Sequence, residues 1–280
     1  MTKKFILNAD DFGMSEDFNR AVLEGYNFGI LKSTSICTNG DAFEHAVSEI
    51  IPQCPDLSLG VHLNIIEGKA LSSNADILTD NMGNFNNGYL SLILKSLNKK
   101  FMEQTEKEFR LQIEKALKFG LKIDHIDSHV HTHAIPNLFE LTCKLAKEYN
   151  IPQIRTQFEH FYITPQLSLH NKNYLINLIK IMLLNSFTLI NRFKVKKYGL
   201  STNEYLIGVG YTAMMNDKTI YYGLKSIKKD TVAEALIHPC KYENPDKKDS
   251  HTTEFELTVN GGLKEKIKEL GYEITNYIKN

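Results

Sequence analysis

Short apolar runs alternate along the chain with longer stretches whose apolar residues recur every three or four positions, the signature of strands alternating with helices. Lys4 to Asn8 reads as a short buried strand, and Ser15 followed by Glu16 and Asp17 reads as an N-cap with acids in the first helical turn. That helix runs to about Phe28 and closes at Gly29. The β-branched run Ser33 to Thr38 ends at Asn39-Gly40, and a helical stretch from Asp41 to Ile51 stops before Pro52. Leu57 to Asn64 supplies a further strand, and Glu103 to Phe119 a helix with Gly120 as its stop. A strand then starts at Leu121, followed by a helix from Pro136 to Tyr149 and a strand over Ile151 to Thr156. Past the charged strip Lys225 to Asp230 comes the strand Val232 to Ile237, and the tail from Leu257 to Ile278 reads as helical.

Repeated strand-helix units predict a parallel sheet with helices packed outside it. Two stretches break the rhythm: the Asn/Gly-rich Asp80 to Gly88, read as a mobile loop over a site, and the long segment 157–211. Within the latter, Tyr174 to Phe193 is strongly apolar but interrupted by Asn177, Lys180, Asn185, Ser186, Asn191 and Arg192. That pattern favours a buried or partner-facing helix, forming a lid or a subunit contact, over a membrane span. No repeat or linker divides residues 1–280, which predicts one catalytic α/β-barrel-like domain with a helical insertion around 157–211.

Composition narrows the function classes. The 280 residues are 42% hydrophobic and 24% charged, within the globular range, and 33 Lys+Arg balance 33 Asp+Glu. No global field draws such a chain to nucleic acid or to an anionic membrane, so neither is expected as a partner. Cys37, Cys54, Cys143 and Cys240 have no CxxC spacing, and the apolar run Phe5 to Leu7 is too short for a signal peptide. Both features fit a cytoplasmic protein.

The chemistry gathers at the carboxyl ends of the predicted strands, where α/β barrels and open parallel sheets hold their ligands. NADDFG places Asp10 and Asp11 directly after the first strand, so that one carboxylate can bind a metal while the other takes a proton. LSLGVHLN brings His62 to the same end. In an extended chain His125, Asp127, His129, His131 and His133 share one face, a pattern with no apolar-core rationale. A late strand ends at His238, and another delivers Arg155. Neutral imidazoles and carboxylates are standard ligands for divalent ions, and a strand rise of about 3.3 Å per residue prevents all five groups on that face from sharing one ion. Either His129 or His131 satisfies the spacing. Metal-assisted hydrolysis is the chemistry such a site supports. GxSxG, GxGxxG and P-loop patterns do not occur in the chain.

NADDFG, GVHLN, HIDSHVHTH and the late IHP, in this order from Phe5 to Pro239, resemble the YdjC-type carbohydrate deacetylases. The resemblance implies a distorted or incomplete (β/α) barrel, with parallel strands and outer helices, related to the polysaccharide deacetylases. It implies a small carbohydrate substrate, N-acetylated amino sugars of the chitooligosaccharide type, and a divalent metal cofactor, magnesium or zinc. By the same likeness Asp11, His62 and His129 bind the metal, Asp10 is the general base, His238 the general acid, and Arg155 orients or charge-balances the base. His125, Asp127, His131 and His133 are then positioning or substrate-contacting groups, and a homodimer is the assembly the likeness favours. Without tryptophan, sugar stacking falls to residues such as Phe12, Tyr89 and Tyr211. The rival readings are a cyclic amidohydrolase, a phosphoesterase, or a sugar-binding protein without turnover.

Overall fold

In a computed structural model that describes residues 3–167, 172–244 and 246–278, eight strands form one sheet. The central strand β1, Lys3–Phe12, is flanked on one side by β7, Val232–Ile237. Its other side is shared: β2, Ser33–Ile36, pairs with Asn8 to Phe12, while β8, Tyr272–Thr275, pairs with Lys3 to Ile6. The sheet continues from β2 through β3, Ser58–Leu63, and β4, His125–Ser128, to β5, Gln153–Ile154, and on the far side from β7 to β6, Tyr205–Ile207. Every ladder is parallel.

Between β5 and β6 there is no regular ladder. Thr156 and Asn203 clasp each other instead, the Thr156 N–H donating to Asn203 Oδ1 at 2.7 Å and Asn203 Nδ2 donating to the Thr156 carbonyl at 2.9 Å, beside a lone parallel bridge from Gln153 to Ser201. The result is an incomplete, distorted barrel.

Alternation along each strand sorts side chains between the two faces. Phe5, Leu7 and Ala9 of β1, Leu59, Val61 and Leu63 of β3, and Ala233, Ala235 and Ile237 of β7 join the main apolar core. The helices that complete this core include α1, Glu16–Phe28, α3, Lys99–Lys118, and α4, Pro136–Glu148, the short α2 being Tyr89–Lys95. The intervening positions point to the other face, where Asn8, Asp10, His62 and Glu234 are polar. Ser15 caps α1 as its sequence position predicts, its side chain accepting from the Phe18 N–H.

Two expectations are corrected by the structure. The tail holds helices α7, Ser250–Val259, and α8, Gly261–Glu269, but then returns to the sheet as β8, because Tyr272 is buried beside the amino end of β1. Asp80 to Gly88 is tied down: the Asp80 carboxylate accepts from the Met82 and Asn84 N–H groups, and Asn87 donates to the carbonyls of Ile65 and Leu78. The stretch after Asp41 is helical as expected, with irregular turns, Phe43–His45 continuing through Ala46–Ile50 and Ile51–Gln53.

In segment 157–211, residues 168–171 lie outside the described residues, and the rest contains α5, Tyr174–Tyr198, which packs along α4. α6, Asp217–Ser226, precedes β7.

Glu159 anchors that segment to the barrel. It is fully buried and accepts from the N–H groups of Gly208, Val209 and Gly210 at 3.3, 2.8 and 3.2 Å. Burial nevertheless pushes its carboxyl up to about 7. In the folded chain the group therefore keeps its proton over a range where the unfolded chain has released it. The stability it contributes is complete below the ordinary value of 4.5 and is lost as pH rises through about 7, a loss on the order of 3 kcal/mol. Glu159→Gln is expected to flatten the fall in urea midpoint across that window, and an unchanged pH slope would contradict the assignment.

Candidate active site

The inward positions of the strands form one hydrogen-bonded polar cluster. Asn8 on β1 accepts from the Ser33 hydroxyl at 2.6 Å and donates to Ser35 at 2.9 Å and to Asp10 Oδ1 at 2.8 Å. Ser35 donates in turn to Asp127 Oδ2 at 2.7 Å. Below them the His125 ring lies flat against Tyr277, centroids 4.0 Å apart, and crosses Gly60, where a Cβ would come within 2.3 Å of the ring.

At the centre is Arg155, immediately after β5 and without exposed surface. Its guanidinium holds both oxygens of Asp10 at 2.7 Å, Asp127 Oδ2 at 2.7 Å and Glu234 Oε1 at 2.7 Å. Tyr277 donates to the other Glu234 oxygen. Burial alone would raise Asp10 and Asp127, but the guanidinium holds both carboxyls below the usual carboxylate range.

One residue further on, β1 bulges. The register with β2 slips between Ala9 and Phe12, and Asp11 takes a left-handed φ of 66°. A bulge of this kind re-aims side chains next to a site. Asp10 turns to Arg155, while Asp11 Oδ1 lies 2.8 Å from His129 Nδ1 and 3.4 Å from His62 Nε2. The other nitrogen of His62, Nδ1, sits 2.7 Å from Asp127 Oδ1, the carboxylate-imidazole contact that fixes ring orientation in metal-binding histidines. Opposed by burial, the carboxylates of Asp127, Asp10 and Asp11 push His62 up to about 10. Glu67, on the loop after β3, reaches His129 Nε2 at 3.4 Å.

A divalent cation fits this end of the barrel. Asp11, Cys37 and His62 offer donor atoms all within 4.8 Å of one another, and Asp10, His62 and Asp127 form a second such group. The first is the better cation site, because Arg155 already neutralises the carboxylates of the second. His129 completes the Asp11 side. Buried carboxylates that draw protons onto neighbouring imidazoles mark a place where positive charge is wanted.

The family described as YdjC-like protein matches residues 4–269 of this sequence. The chain belongs to that family. A carbohydrate deacetylase from Clostridium beijerinckii is 41% identical over 149 residues, 53% of this chain and 58% of that relative. One from Brevibacillus brevis is 38% identical over the same shares of both. The matched stretch thus spans little more than half the length of these relatives. A solved structure from Enterococcus faecalis V583, described as a cellobiose-phosphate cleavage protein, has the same fold, with TM-score 0.72 and 23% identity over 100% of this chain and 99% of that one.

In this YdjC-like chain the sequence-selected residues Asp10, Asp11, His62, Asp127, His129 and Arg155 converge, while the shared face expected for HIDSHVHTH does not exist. β4 stops at Ser128, and the chain turns through left-handed Val130 and His131, φ 51° and 56°. His129, at the start of that turn, reaches Asp11. His131 comes close to Arg155, Asp10 and His238; its Nδ1 is buried without a hydrogen-bond partner, and burial with the Arg155 charge pushes the ring down to about 3. His133 is fully buried, held by Ser128, the Arg155 carbonyl and Gln157. His125 is equally buried, so neither ring has surface to offer a sugar.

His238, just past β7, is partly open; against burial, Glu254 and the carboxylates of Asp11 and Asp10 push it up to about 9. Phe12 and Tyr211 are buried and cannot stack on a sugar, whereas Tyr89 is half-buried.

Cys37, Glu234 and Glu67 were not singled out by sequence. For Glu234 a signal existed, a carboxylate on an otherwise apolar strand. Removing one member of a buried ion cluster leaves uncompensated charge, so Arg155→Met is expected to destabilise the fold by about 3–5 kcal/mol in denaturant titration. A loss under about 1 kcal/mol would show that the carboxylates do not depend on it.

Proposed function

We propose that this protein is a metal-dependent hydrolase that removes acetyl groups from N-acetylated amino sugars, with chitooligosaccharides as the substrate class. The observation that carries the reading is the division of labour between adjacent aspartates: Asp11 faces two imidazoles, and Asp10 faces a guanidinium. Asp11, His62 and His129 would hold the ion, with the Cys37 sulfur within reach of the first two. A bound divalent ion supplies Lewis-acid polarisation of a carbonyl and acidifies water.

The chain's own groups account for the proton movements. Asp10 stays ionised because Arg155 grips it, so it is ready to accept a proton from water attacking the acetamide carbon. Asp127 keeps the His62 ring turned so that Nε2 points at Asp11. His238, which follows β7 next to β1 and is pushed up to about 9 by Glu254 and the carboxylates of Asp11 and Asp10, would give its proton to the departing sugar amine. Water adds its oxygen to the acyl carbon, the carbon-nitrogen bond breaks, and acetate and a free amine result. The family membership and the deacetylase relatives support this choice of amide over phosphate or cyclic amide.

The test is acetate release from N,N'-diacetylchitobiose and N-acetylglucosamine by chelated protein resupplied with Mg, Zn, Mn or Co. Asp10→Asn is expected to keep its metal, measured by elemental analysis, while losing about 10²–10⁴-fold in turnover. His62→Ala is expected to lose metal and turnover together. Full turnover in Asp10→Asn would remove it as the base, and metal retained by His62→Ala would move the ion elsewhere.

A further inference from the structure

Helix α5 has its polarity reversed. The side turned to the barrel carries Asn177, Asn185, Thr188 and Asn191 among a few apolar residues. Asn177 donates to the Gly210 carbonyl at 3.2 Å, Asn185 to the Glu159 carbonyl at 2.9 Å, and Asn191 to the Ala134 carbonyl at 2.7 Å. The opposite side carries Leu175, Ile179, Met182, Leu189, Ile190 and Phe193, spaced to make one stripe, all exposed and up to 76% so at Phe193. Exposed Phe161 and Ile163 lie in the loop between β5 and α5, and Tyr89 at the start of α2 packs on the same small cluster as Leu178. An apolar strip of this length outside a protein marks a surface that meets something.

The charge around it says what. From His160 to Asn203 the sequence has six Lys or Arg and no Asp or Glu, although the whole chain is balanced at zero. Lys172, Lys180 and Lys196 are exposed, while Lys194 and Lys197 lie against Glu140 of α4. A second copy laid across the stripe would bring like charges together, which disfavours self-association. Insertion across a bilayer would require the asparagine bonds to the barrel to break, although α5 is the one helix among the described residues long and apolar enough to span. A helix with an apolar outer stripe flanked by cations lies flat on an anionic lipid surface. We propose that α5 docks this protein peripherally on membranes rich in anionic lipid. The sequence alone, neutral overall, gives no reason to expect a membrane partner; the placement of the stripe does.

The experiment is vesicle flotation of the full chain with phosphatidylcholine alone and with added phosphatidylglycerol. Binding is expected to be on the order of tenfold to a hundredfold tighter with the anionic lipid. The double variant Ile179→Glu with Leu189→Glu, altered only on the outer side, is expected to stay at the top of neither gradient while keeping its thermal midpoint. Lys180→Glu with Lys196→Glu is expected to lose the preference for phosphatidylglycerol. Absence of flotation with either vesicle would overturn the proposal. So would sedimentation equilibrium showing a dimer that Ile179→Glu dissociates, since a second copy would then occupy the stripe.

Discussion

A guanidinium with no contact to water is tolerable only if carboxylates surround it, and Arg155 draws Asp10, Asp127 and Glu234 from three different strands to one point. That clamp sets the rest of the site. It holds Asp127 where one oxygen meets the guanidinium and the other meets His62, and so fixes the direction of the His62 ring. It turns Asp10 toward the guanidinium and keeps it ionised, which leaves Asp11 as the carboxylate that faces the imidazoles. The inward polar faces of β1 to β4, which would be costly to bury singly, satisfy one another through Asn8, Ser33 and Ser35 beneath the clamp.

Part of the backbone strain lies around the same centre. Asp11, Val130 and His131 all take left-handed conformations without being glycine, and at Asp11 this goes with a carboxylate that meets His129 and His62. Such conformations persist only where surrounding contacts over-determine them. Here the bulged β1 is locked between β2 and β7, and the turn after β4 is pinned by the Ser128 hydroxyl, which accepts from the His133 N–H at 2.9 Å. A rigid sheet thus holds in place two short irregular segments that carry the donor atoms.

Much of this was legible in the sequence because it follows from period and spacing. Strands β1, β3 and β7 and helices α1, α3 and α4 stand within a few residues of their predicted positions, and the aspartates, His62, His129 and Arg155 meet as the strand-end rule implies. Strand parity failed for HIDSHVHTH because it assumes an extended backbone, and nothing in Val130 or His131 announces a left-handed turn. The sequence of β8 reads as helix because Leu257 to Ile278 has a helical period for most of its length, and only pairing with β1 makes Tyr272–Thr275 a strand. Cys37 lacked any local motif; its place beside Asp11 and His62 arises from neighbouring strands rather than neighbouring residues.

The central claim is that the Arg155 clamp divides the acidic cluster into a neutralised half and a cation-binding half. Anomalous diffraction at the zinc edge, from crystals soaked in zinc, tests it most directly. The account predicts a single strong peak at this end of the barrel, bonded to the Asp11 carboxylate, His62 Nε2 and His129. A peak seated between Asp10 and Asp127, or none near either aspartate of the NADDFG turn, would contradict it.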